Sequence, residues 1–106
     1  MTTIAFELSG ELTIYAAQDI RQRLLEQLEH LAAEGPDCLE IDVSGITEAD
    51  TAGVQLLLAA RNHAEACGAG LRLVAPSQAL TEVLSLLGLD GHFDVRLPGG
   101  HPASLG

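Results

Sequence analysis

Leu39-Glu40-Ile41-Asp42-Val43-Ser44-Gly45-Ile46-Thr47-Glu48-Ala49-Asp50-Thr51-Ala52-Gly53-Val54 changes its hydrophobic period along its length. Leu39, Ile41 and Val43 alternate with Glu40 and Asp42, the period of a half-buried strand. After a polar loop from Ser44 to Asp50, Val54, Leu57, Leu58 and Arg61, continuing towards Ala64, follow helical spacing, which predicts a helix from Thr51 to Cys67. A strand leading into a helix through a short polar connection is half of a βαβ unit, and the rest of the chain extends it in both directions.

Downstream, Gly68 and Gly70 close the helix and Leu71 to Val74 reads as a strand covered on both faces. Ala75-Pro76-Ser77 then turns into a third helix, with Ser77 as N-cap, a stripe of Leu80, Val83, Leu84 and Leu87, and Gly88 at its end. Phe93 to Val95 is a short last strand. Upstream, Ile20, Leu24, Leu28 and Leu31 mark a helix from about Ala17 to Ala33, ended by Gly35-Pro36. Before it, Ile4 to Leu8 and Glu11 to Tyr15 read as a hairpin joined by Ser9-Gly10. The expected architecture is α/β: one domain over residues 1–97, a mixed four- to five-stranded sheet flanked by three to four helices, and a tail over 98–106. Leu24, Leu28, Ile41, Leu57, Leu73, Val83 and Leu84 are expected in the core.

Composition narrows the function. The 106 residues carry fifteen acids against five basic residues, all Arg, for a net charge of −10. A nucleic acid needs a basic footprint, so that partner class is set aside, and the same charge opposes docking on anionic lipid. Residues 1–50 hold eleven acids and two Arg, a sum of −9, against four acids and three Arg, a sum of −1, in residues 51–106. One surface is therefore acidic, suited to a basic patch on a protein partner or serving solubility alone. No apolar run approaches the ~18 residues of a membrane span and no basic leader opens the chain, so a cytoplasmic protein is expected.

Sites of chemistry are sought in vain. His30, His63, His92 and His101 are scattered, none at ligand spacing from another His or Cys, so no metal is expected. Cys38 and Cys67 lie in apolar stretches and read as buried small hydrophobes. No serine sits in a nucleophile motif, and Gly68-Ala69-Gly70 ends a helix where a nucleotide loop would start one. Neither enzyme activity nor a cofactor is expected. What stands out is Glu48-Ala49-Asp50-Thr51-Ala52-Gly53-Val54, where Asp50 or Thr51 is placed to cap helix N–H groups. A glycine in a first helical turn costs about 1 kcal/mol against Ala, so something needs the space. Close approach by a partner and a tight helix–sheet contact are equally consistent with it.

Gly10-Glu11-Leu12, Ile41-Asp42-Val43-Ser44-Gly45-Ile46, Asp50-Thr51-Ala52-Gly53 and Leu71-Arg72-Leu73-Val74, in this order, resemble a STAS domain, the fold of bacterial anti-sigma-factor antagonists and of the cytoplasmic domains of sulfate transporters. The resemblance runs from about Ile4 to Val95. It implies that Thr51, directly after Asp50, is phosphorylated by a partner kinase, although the usual Ser-Ser-Gly-Leu is here Thr51-Ala52-Gly53-Val54. It further implies a protein partner, an anti-sigma factor or histidine-kinase-like ATPase, bound through Glu48, Asp50, Thr51, Ala52, Gly53 and Gln55 by a monomer or weak dimer. The alternative it implies is the STAS subunit of a bacterial phospholipid-trafficking ABC transporter, which binds its ATPase through Thr51.

Overall fold

The computed structural model describes residues 3–35 and 37–97, in the order β1 (Thr3–Leu12), α1 (Ala17–Glu34), β2 (Cys38–Ala49), α2 (Thr51–Ala66), β3 (Gly70–Val74), α3 (Gln78–Leu86) and β4 (Asp94–Arg96). The expected tail over 98–106, with His101, lies outside the described residues. The three helices fall within a residue or so of their expected bounds, because their stops are chemically marked. Gly35, in a left-handed conformation, donates its N–H to the Leu31 carbonyl at 3.1 Å, and the Ser77 hydroxyl caps α3 by accepting the Leu80 N–H at 3.2 Å.

The sheet has four strands in the order β1-β2-β3-β4, and every described pairing is parallel. The hairpin does not form. Ile4, Phe6, Leu8 and Leu12 all occupy even positions, so one inward face runs unbroken through Ser9-Gly10. Gly10, at φ +82°, bends β1 where its register against β2 shifts. The stretch from Ser44 to Ala49 is strand as well. From Glu7 opposite Asp42, through Ser9–Gly45, Gly10–Ile46 and Glu11–Glu48, to Leu12 opposite Ala49, β2 spends two more residues than β1. The Asp42 carboxylate holds the first bulge by accepting the Ser44 N–H at 2.9 Å and its hydroxyl at 2.7 Å.

Sequential parallel strands joined by right-handed crossovers place all three helices on one face. There, Leu39, Ile41, Val43, Leu71, Leu73 and Val95 meet Leu24, Leu28, Leu57, Leu80 and Leu84 in a single buried cluster. Val83 is half-buried, and Leu87, expected in the stripe, is exposed, since it lies past the end of α3. The opposite face is open, so β3 is covered on one side only, with Arg72 and Val74 half-exposed. Charge holds that face together: Glu40 accepts from Arg72 at 3.2 Å and Arg96 at 3.0 Å, while Arg72 also reaches Asp94 at 3.2 Å. At the β1 edge, Arg23 from α1 donates to the Glu7 carbonyl at 2.7 Å. Cys38 is half-buried at this open face and Cys67 exposed just past α2, so neither is the core residue expected.

A Cβ on Gly10 would meet nothing within 4 Å, so its cost is backbone strain alone. Gly10→Ala is expected to destabilise the chain by roughly 1–2 kcal/mol in urea unfolding, with no change in the slope of the transition.

Candidate functional site

The end of β1 and the start of α2 meet at the Leu12 carbonyl. Asp50, extended at φ −135° and ψ 179°, is the N-cap of α2. Its own N–H donates to the Leu12 oxygen at 3.1 Å. One carboxylate oxygen accepts the Gly53 N–H at 2.9 Å, and the other accepts the Ile14 N–H at 3.0 Å. A single side chain thus joins the helix N-terminus to the loop that leaves β1. These two N–H groups, Gly53 first and then Ile14, hold the Asp50 carboxyl below its ordinary value.

Gly53 is answered by the same carbonyl. A Cβ there would stand 2.0 Å from the Leu12 oxygen and 2.5 Å from its carbonyl carbon, both backbone atoms that cannot move aside. The missing side chain therefore serves a tight helix–sheet contact, and Gly53 is buried. Because Asp50 does the capping, the Thr51 hydroxyl is free: Thr51 is exposed and its side chain makes no hydrogen bond among the described residues. Glu48 and Gln55 are exposed around it and Ala52 is half-buried.

The structure adds two residues that the strand reading of Glu11–Tyr15 had hidden. Ile14 is 64% exposed and Tyr15 92% exposed, on the loop that Asp50 ties to α2. They form an apolar knob beside the acidic rim of Glu11, Glu48 and Asp50. Their signal in the sequence was an apolar pair placed after the last inward residue of β1, where burial has no further use for them. Thr13, behind them, is 7% exposed, and its hydroxyl has no partner among the described residues.

Among the described residues, no group of three or more His, Cys, Asp or Glu could hold a metal ion. Burial pushes the Cys38 thiol above its ordinary value, with Arg72 pulling the other way, so it is no activated nucleophile. No described helix is long and apolar enough to cross a membrane.

A family model described as Mlab, STAS domain, matches residues 2–98. No curated protein matches. Among solved structures, the anti-sigma factor antagonist SpoIIAA in its unphosphorylated form aligns with a TM-score of 0.69 at 23% identity, over 91% of this chain and 79% of that one. The Bacillus cell fate determinant SpoIIAA in its phosphorylated form aligns at 0.63 and 23%, over 90% and 81%. A sulfate transporter family protein from Wolinella succinogenes aligns at 0.67 and 21%, over 82% and 67%.

Three substitutions separate the roles in thermal melts. Thr51→Ala is expected to change stability by less than about 0.5 kcal/mol, as at an ordinary surface position. Gly53→Ala costs more than about 2 kcal/mol, because a backbone overlap has no cheap relief. Asp50→Ala falls between them. Since the Asp50 and Asp42 carboxyls are both lowered, Asp42 chiefly by the Ser44 hydroxyl, their contribution to stability is complete above the ordinary carboxylate value, about 3.9. It is lost as pH falls through the lowered values. The melting temperature is therefore expected to fall as pH drops below about 4, and to fall less in Asp50→Asn.

Proposed function

The chain belongs to the STAS domain family, and from that premise we propose that it is a non-enzymatic regulatory module, an anti-sigma-factor antagonist, that binds a protein partner around Thr51 and is switched off by phosphorylation of that threonine. The observation that carries this reading is the free Thr51 hydroxyl at the opening of α2, with Asp50 already holding the cap. A kinase can take that hydroxyl without unmaking the fold. The partner is an anti-sigma factor or histidine-kinase-like ATPase. It binds ATP: the Thr51 oxygen bonds to the terminal phosphorus, the bond from that phosphorus to the bridging oxygen breaks, ADP leaves on the partner, and the hydroxyl proton passes to the partner's base.

The physical effect is one of charge. A phosphate adds about −1.5 to −2 charges beside Asp50, Glu48 and Glu11. Within the domain, the first-turn N–H groups of α2 offset part of it. Across the interface nothing does, because a surface fitted to a neutral hydroxyl meets an anion it must desolvate. Ile14 and Tyr15 give the unmodified face its apolar contact, and the acidic rim selects a basic patch opposite. A cytoplasmic location and a monomer or weak dimer accompany this reading, with transcription as the process regulated.

A second reading, kept open by the match to the Mlab, STAS domain model, is the STAS subunit of a bacterial phospholipid-trafficking ABC transporter, binding its ATPase through the Thr51 hydroxyl itself. The two differ in what Thr51 must do. In the first its hydroxyl is an acceptor that binding does not need; in the second it is the contact.

The partner is captured from native cells, identified and purified, and titrated calorimetrically with wild type, Thr51→Ala and Thr51→Glu. Thr51→Ala is expected to bind and Thr51→Glu to lose at least about 2 kcal/mol, roughly thirtyfold. Equal binding by Thr51→Glu overturns the switch, and loss of binding in a folded Thr51→Ala moves the transporter subunit ahead. Tyr15→Ala is expected to weaken binding at least about tenfold without changing the melt. As the chain's single tyrosine, its fluorescence reports the same contact directly.

A further inference from the structure

The loop that carries Ile14 and Tyr15 is tied down at few points. Its backbone bonds run forward into α1: the Ala16 N–H donates to the Thr13 carbonyl at 3.1 Å, the Ala17 N–H to the Ile14 carbonyl at 3.4 Å and the Ile20 N–H to the Ala16 carbonyl at 3.0 Å. No side chain caps α1 at Ala16. Thr13 is buried, but its hydroxyl has no partner among the described residues. Among those residues, the bond from the Ile14 N–H to Asp50 Oδ2, at 3.0 Å, is the one that ties the loop to the start of α2. We infer that Asp50 is a positioning residue for partner recognition, acting through the pose of Tyr15 rather than by touching the partner. The inference rests on the reading above, in which Ile14 and Tyr15 contact that partner.

Capping alone does not ask for a carboxylate, since Ser, Asn and Asp serve about equally well as N-caps. What Asp adds is a second acceptor oxygen on the same planar group. Oδ1 takes the Gly53 N–H at 2.9 Å while Oδ2 takes that of Ile14, so both oxygens are engaged within the chain. Asp50 is half-buried, whereas Glu48 and Thr51 beside it are exposed. An Asn that kept Gly53 would turn its amide nitrogen toward the Ile14 N–H, donor against donor, and a Ser would offer Ile14 no acceptor. The use of the tie lies outside the fold. Ile14 is 64% and Tyr15 92% exposed, so folding gains almost nothing from where they point. Binding does gain, because a side chain already in place need not be ordered at the interface.

Asp50→Asn and Asp50→Ser keep the cap and cut the tie, and the test uses both. Amide hydrogen exchange on the free protein is expected to speed up at least about tenfold at Ile14 in both variants, with Gly53 unchanged. In the partner titration each is expected to weaken binding about tenfold, as Tyr15→Ala does. Combined with Tyr15→Ala, Asp50→Asn is expected to cost no more than about threefold beyond the single variant, where independent contacts would multiply to about a hundredfold. Unchanged exchange at Ile14, full-strength binding by either Asp50 variant, or multiplied losses in the pair overturns the inference and leaves the proposed function standing. Binding by Tyr15→Ala as tight as wild type overturns the contact reading itself, and the inference with it. Thr51→Glu, run beside them, reports on the switch alone.

Discussion

The Leu12 carbonyl oxygen fixes the geometry on which the functional face depends. It accepts the Asp50 N–H, and the bare α-carbon of Gly53 rests against it, so the last residue of β1 and the first turn of α2 cannot shift independently. The Asp50 carboxylate extends the lock to Ile14 and therefore to the loop carrying Tyr15. Two segments distant in sequence, residues 12–15 and 50–53, become one platform. On a platform held by the Asp50, Gly53 and Ile14 N–H groups, a modification at Thr51 is expected to change the potential of the face and leave its shape. The switch is then electrostatic, and its strength depends on what charge the partner presents.

The distribution of charge over the open sheet face matches this. Toward β3 and β4 the acids are neutralised, with Glu40 clasped by two arginines and Asp94 by one of them. Toward β1 they are not. Glu7 lies across from Asp42 and Glu11 across from Glu48, like charges at neighbouring positions, which a sheet built for stability alone avoids. The unneutralised acids lead to Asp50 and Thr51, so the proposed phosphate would add to charge of its own sign. Folding stability is given up here, and partner selection is where such repulsion is useful.

The helices were legible because their evidence is local: a period of three to four residues and a chemically distinct stop at Gly35, Gly68 or Gly88. The proposal of Thr51 as an acceptor rests on family resemblance, whereas the need for a glycine at position 53 was legible through helix energetics alone. The first strand was misread because Ser9-Gly10 serves equally well as a hairpin turn and as a bend at a register shift, and only the partner strand decides between them. Ser44-Gly45 misled in the same way, since a bulge and a loop use the same residues. Pairing is non-local, so periodicity could not reveal that β1 and β2 run parallel. Asp50 and Thr51 were equal candidates for the cap, and that Asp50 also accepts an N–H from Ile14, thirty-six residues earlier, could not be read from local spacing.

The contact between Arg23 and the Glu7 carbonyl has a bearing on assembly order. β1 is a ten-residue edge strand, the kind of element that recruits a stray strand from another copy. Its guard comes from the helix that directly follows it, only sixteen residues away. As the chain emerges from the ribosome, β1 and α1 are complete before any of β2 exists. The vulnerable strand therefore waits for its proper neighbour with a carbonyl already claimed and glutamates along its length. Protection against mispairing is written into the first third of the chain, ahead of the sheet it protects.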